Sequence, residues 1–108
     1  MSLITTHVLD TSTGTPAAGI QVLLRGPDQR QIATGTTDED GRIGELGPES
    51  LSPGTYELIF ATGEHFDARG LEHFFPQVTL AFTVEASAGH YHVPLLLSPF
   101  GYTTYRGS

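Results

Sequence analysis

Cysteine, lysine and asparagine are all absent from the 108 residues. Without cysteine there are no disulfides, no thiolate nucleophile and no sulfur-ligated metal. Without lysine there is no Schiff-base chemistry and no phosphate-loop lysine. Without asparagine there is no N-glycosylation acceptor and no amide of that kind to hold an oxyanion. Positive charge is scarce, with Lys+Arg 5 against Asp+Glu 12 and a net charge of -7, which argues against a nucleic-acid partner. Charged residues make up 16% of the chain, below the ~25% usual for soluble domains, as fits a surface partly covered in an assembly. No run of ~18 apolar residues exists, so no membrane-spanning helix is expected. The opening MSLITTHVLD lacks a basic and then apolar leader, and the expectation is a cytoplasmic protein. Chemistry must come from His, Arg, the carboxylates, Tyr, Ser and Thr.

What is present reads as one all-β domain spanning 1–108. Thirteen glycines and seven prolines punctuate the chain every ~8–12 residues, the rhythm of a sandwich or barrel. Strands are expected at Leu3–Asp10, Ile20–Arg25, Gln31–Thr37, Arg42–Leu46, Thr55–Ala61, Gln77–Glu85, His90–Leu97 and Gly101–Arg106. Turns are expected at Gly26-Pro27-Asp28, at Asp38 to Gly41 and at Ala86 to Gly89. One short helix is expected over Gly63–Gly70, with Glu64 and Asp67 near its start and Gly70 as its stop.

Strand side chains alternate between faces. In His90–Leu97, Tyr91, Val93, Leu95 and Leu97 form a core-like face, and His90, His92, Pro94 and Leu96 the other. In the first strand Ile4, Thr6 and Val8 oppose Leu3, Thr5, His7 and Leu9; in the last, Thr103 and Tyr105 oppose Tyr102, Thr104 and Arg106. Pro94 cannot donate to a ladder, so its position is expected at an edge, a bulge or a solvent channel. A strand histidine is usually a surface or satisfied core residue, and two at i, i+2 without a third ligand are weak evidence for a metal. His65 and His73 read as solvated. Asp38-Glu39-Asp40 lacks the spacing of a calcium loop and reads as a turn. No Gly-x-Ser-x-Gly context surrounds any serine.

The stretch from His90 through Tyr-His-Val-Pro-Leu-Leu-Leu-Ser-Pro-Phe-Gly-Tyr-Thr-Thr-Tyr-Arg-Gly to Ser108 resembles the transthyretin-like family. Its ending Tyr-Arg-Gly-Ser is similar to the signature of the family's enzyme branch, the 5-hydroxyisourate hydrolases. Leu-Ile-Thr-Thr-His-Val-Leu-Asp with Gly-Thr-Pro-Ala, Thr37 to Arg42, and Phe74-Phe75-Pro76 resemble further motifs of the family, in the right order over essentially the whole chain. The resemblance implies a prealbumin-like β-sandwich of two four-stranded sheets with one short helix. It also implies a homotetramer (a dimer of dimers) with active sites in a central channel, which would cover Leu9, Pro94 and Leu96. Where the carrier transthyretin has Lys, Glu, Thr and Thr, this chain has His7, Arg42, His92 and Tyr105.

The activity so implied is ring opening of 5-hydroxyisourate to 2-oxo-4-hydroxy-4-carboxy-5-ureidoimidazoline in urate degradation, with no organic cofactor and no metal. Histidine titrates near working pH, so His7 and His92 suit water activation and proton transfer, in roles left open between them. Arg42 offers a permanent cation with a planar donor fork for the developing oxyanion. Tyr105 is expected to donate to, or stack on, the substrate ring, and Ser108 to contribute its hydroxyl and the chain's carboxylate. Thr103, His90, Pro94 and Leu96 are expected around these groups. Arg106 is expected to be structural, pinning the tail through an ion pair. The alternatives are a small-ligand carrier without turnover and a structural sandwich domain.

Overall fold

The computed structural model describes residues 2–86 and 89–108 of the chain. Its strands are β1 (Ile4–Asp10), β2 (Thr15–Pro16), β3 (Gln21–Arg25), β4 (Gln31–Thr36), β5 (Arg42–Ile43), β6 (Gly54–Phe60), β7 (Val78–Val84), β8 (Tyr91–Ser98) and β9 (Gly101–Thr104). The single helix among the described residues, α1 (Thr62–Ala68), follows β6. One sheet runs β4-β3-β6-β7. The other runs β2-β1-β8-β9, with β5 also on β1. Its fifth strand arises because β5 and β2 share one edge of β1, β5 along Thr6 and His7 and β2 along Leu9 and Asp10. Across its width, that sheet is still four strands.

Alternation sets the core. β1 reads buried at Ile4, Thr6, Val8 and Asp10, and β8 at Tyr91, Val93, Leu95 and Leu97, as expected from the pattern. Facing them from the second sheet are Val22, Leu24, Tyr56, Leu58, Phe60, Val78, Leu80 and Val84. The two inner faces therefore make one core between stacked sheets, the arrangement that hides one apolar face of each. β1 and β8 pair in parallel, from Ile4↔Tyr91 to Asp10↔Leu97, which joins the start of the chain to its end.

Pro94 lies within a central strand and not at a sheet edge. It sits where the β8–β9 ladder is interrupted, between the Leu95↔Thr104 pair and the isolated bridge His92↔Gly107. Its missing N–H therefore falls in a gap, while its carbonyl accepts from the Thr104 hydroxyl at 2.8 Å. The expected strand after Gly41 shortens to two residues. The turn expected over Ala86 to Gly89 includes Ser87 and Ala88, which lie outside the described residues.

The helix stops at Gly70, whose φ of 68° only glycine adopts freely; the Gly70 and Leu71 amides donate to the Asp67 and Phe66 carbonyls. Neither helix-side histidine is solvated as expected. The His65 ring is only 10% exposed and its Nε2 lies 3.1 Å from Asp10 Oδ2. The His73 ring stacks on Phe66, centroids 5.8 Å apart. For His65 the cause is Asp10, the last residue of β1, which points inward with a fully buried side chain. A buried carboxylate needs partners. It receives them from Ser12 (backbone N–H and hydroxyl), His65, and Arg69 Nη1 at 3.0 Å. Burial by itself would raise the Asp10 pKa, but the Ser12 and His65 hydrogen bonds and the Arg69 charge outweigh it and hold it below 3.8.

Candidate active site

The outward face of the β1–β8 sheet is built as three cross-strand rows. The register puts Arg42, His7 and Pro94 side by side in one row. Thr5, His92 and Gly107 form the next. Leu9, Leu96 and Thr103 form the third, on the other side of His7. Every residue here is at most half-buried except Pro94, so the face combines polar chemistry with the apolar Leu9 and Leu96.

Arg42 arrives by a tight turn. The Asp38 carboxylate accepts from the Asp40 and Arg42 amides at 2.9 and 3.0 Å, which closes the loop. Gly41 follows at a φ of 73°, its carbonyl accepting from the Val8 amide at 2.7 Å. A Cβ at Gly41 would collide with the Val8 carbonyl. Only glycine lets this turn press against β1 and deliver Arg42 to the position beside His7. The acidic run is thus a structural turn for the arginine.

A depression of about 270 Å³ is lined by Thr5, Thr6, Arg42, Ile43, Gly44, His90, His92 and Ser108. Within it the Thr5 hydroxyl lies 2.8 Å from His92 Nδ1 and 3.1 Å from His90 Nε2. The Gly107 amide donates to the His92 carbonyl at 2.8 Å. A Cβ at Gly107 would stand only 2.6 Å from His92 Cδ2, so the tail lies flat against the imidazole because residue 107 has no side chain. Burial, followed by the charges of Arg42, His7 and His90, pushes the His92 pKa below 6.5. The ring is therefore neutral at neutral pH and able to accept a proton.

Of the expected site residues, Arg42, His90, His92 and Ser108 come together around this depression, with His7 beside Arg42 in register. Pro94, Leu96 and Thr103 lie on the same face. Tyr105 borders instead a cleft of about 550 Å³ between β7 and β9, together with Tyr91, Tyr102 and Arg106. The Arg106 guanidinium carbon lies 4.6 Å from the Tyr91 centroid, and among the described residues no ion pair engages Arg106. Thr5 is the member that the sequence reading passed over. Its signal was the i, i+2 spacing to His7, which puts both on one face.

A family model described as HIUase/Transthyretin family matches residues 4–107. The 5-hydroxyisourate hydrolase of Mus musculus is 47% identical over 113 residues, covering 99% of this chain and 96% of its own. The solved 5-hydroxyisourate hydrolase of Klebsiella pneumoniae superposes with a TM-score of 0.90 at 38% identity, over 99% of this chain and 100% of that one. Transthyretin from Sparus aurata superposes equally well, with a TM-score of 0.90 at 33% identity over 99% and 97% of the two chains. Sequence and fold agree over nearly the full length, and the chain belongs to the HIUase/Transthyretin family.

Proposed function

We propose that this chain is a hydrolase that opens the cyclic amide of 5-hydroxyisourate to give 2-oxo-4-hydroxy-4-carboxy-5-ureidoimidazoline, with residues 1–108 acting as one domain. The observation that carries the reading is the meeting of one guanidinium and two imidazoles, Arg42, His7 and His92, on three adjacent strands of one face. Full-length relatives named for this activity support it.

Amide hydrolysis needs a water stripped of a proton, a stabilised oxyanion and a proton for the leaving nitrogen. His92, kept neutral, takes the proton as the water oxygen bonds to the ring carbonyl carbon. The Arg42 fork meets the negative charge that develops on the carbonyl oxygen. The C–N bond then breaks, and an imidazolium returns the proton to nitrogen; His7, in the neighbouring row beside Arg42, shares this work. Ser108 binds the substrate at the rim. Tyr105 enters this reading through the tetrapeptide it begins.

The working form proposed is a homotetramer, a dimer of dimers. Supporting it are β7 and β9, which among the described residues end their sheets with unpaired edges, and the exposed rings of Phe74 and Phe100, 71% and 67% accessible. No helix among the described residues is long and apolar enough to cross a membrane.

The test is the ultraviolet decay of freshly generated 5-hydroxyisourate with the protein and with its His92→Ala variant. Rapid decay that the substitution abolishes is expected. No acceleration over spontaneous decay by a folded tetramer would overturn the hydrolase reading in favour of a carrier, the alternative to which the transthyretin superposition belongs.

A further inference from the structure

The Thr5 hydroxyl touches two imidazoles, His92 at 2.8 Å and His90 at 3.1 Å. A hydroxyl carries one proton and two lone pairs, so it can donate to only one of the two ring nitrogens, and the other must then donate to it. When its proton is spent within this trio the two bonds are coupled: choosing the proton position on one ring chooses it on the other. The His92 ring is fixed across its width, with Nδ1 on Thr5 and Cδ2 against Gly107. Among the described residues no hydrogen bond engages its Nε2.

We infer that Thr5 is a positioning residue that sets the His92 tautomer, with His92 Nδ1–H donating to Thr5 Oγ1 and Thr5 Oγ1–H donating to His90 Nε2. This ordering leaves a bare lone pair on His92 Nε2, the form a general base needs. The hydrolase reading selects it over the reverse: a base that takes the proton of water needs the Nε2 lone pair, and Nδ1 is the nitrogen that Thr5 occupies. The exposed His90 has water for its other nitrogen in either ordering and so imposes no preference against it. When His92 Nε2 takes the proton of the attacking water, the resulting imidazolium keeps its Nδ1–H bond to Thr5. The same Nε2 proton then passes to the leaving nitrogen as the C–N bond breaks, and no proton is left over. Thr5 does here with a neutral oxygen what a carboxylate does for the histidine of a Ser-His-Asp triad.

This inference rests on the hydrolase reading for its choice of ordering and for its kinetic arm. Nitrogen-15 NMR of the labelled wild-type protein reads the tautomer without substrate: a protonated-type Nδ1 and an unprotonated-type Nε2 for His92 are expected. An Nε2–H tautomer would overturn the proposal even if turnover is fast. In the kinetic arm, Thr5→Val removes the hydroxyl at nearly constant shape. It is expected to lower kcat about 10- to 100-fold with KM changed less than about twofold, as for other groups that orient a working imidazole. Thr5→Ser restores most of the loss. A Thr5→Val protein with wild-type kcat and unchanged His92 signals sinks the role. If the wild type shows no turnover at all, the hydrolase reading fails and the NMR arm still decides the tautomer.

Discussion

At one end of β1 the Thr5 hydroxyl reaches two imidazoles; at the other the Asp10 carboxylate reaches an imidazole and a guanidinium. Both are strand residues with a histidine partner supplied from far along the chain, yet they serve opposite ends. Asp10 points into the core, so its charge must be matched, and the matching groups lie on α1 and its C-terminal flank. The result is a clamp that ties the helix to the sheet. Thr5 points outward, carries no charge and leaves His92 neutral, through its partial burial and then the nearby Arg42 charge. A histidine beside a buried carboxylate is bound into the structure; one beside a hydroxyl and a guanidinium is left free to take a proton. Residue type alone did not separate them. The face of the strand did.

That contrast can be broken at either end. The largest effect is expected from His92→Ala, which should cut turnover of 5-hydroxyisourate by about 10²- to 10⁴-fold, the usual contribution of a general base. Its melting temperature should stay near wild type, because the ring sits on the outward face. Asp10→Asn should do the reverse. Loss of the buried charge leaves Arg69 without its counter-ion and one amide oxygen for partners that now use two carboxylate oxygens; it should cost about 3 kcal/mol in urea unfolding, the lower part of the range for a broken buried pair because Arg69 remains 39% exposed to water. Turnover by the folded fraction should persist.

Next in size is Gly107→Ala. The added carbon must displace the His92 ring, and a shift of this kind should lower kcat about 10- to 100-fold with the fold intact by circular dichroism. The smallest effects are in titration. His92 should titrate below 6.5 by NMR, and Arg42→Gln, which removes one of the charges lowering it, should move that midpoint upward. Asp10 has a folded pKa below its unfolded value of 3.8, so its stabilisation is present above that value and lost as pH falls through the folded pKa. Asp10→Asn should therefore flatten the acid limb of stability, measured by urea midpoints between pH 5 and pH 2.

Much of this arrangement was legible in the residues. The alternation of β1 and β8 sorted Ile4, Val8, Val93 and Leu95 from His7 and His92, because a half-buried sheet leaves that signature in any register. The turn at Asp38 to Gly41 was legible from its residue types, and the reason for Gly41 only from its contact with Val8. The partners of single polar groups were not legible. His65 reads as a surface helix residue until the buried Asp10 is known to lie under it, and Thr5 is one threonine among many until parallel pairing brings His92 alongside. For Pro94 the residues leave an edge, a bulge or a solvent channel open. It lies in a central strand where the β8–β9 ladder is interrupted, and only the pairing of β9 shows this. Each of these depends on which distant segment lands beside which, and local pattern does not carry that information.

The parallel pairing of β1 with β8 has a consequence for biogenesis. Thr5 and His92 are 87 residues apart in the chain. On the ribosome β1 emerges first, and its central neighbour is among the last segments to be made. Until then that flank of β1 has no partner, and the second sheet, whose strands are all synthesised before β8, has ample time to form ahead of it. Closing so long a loop is slow relative to local contacts. Appearance of activity during synthesis or refolding would thus mark the final closure of the sandwich and not its early collapse.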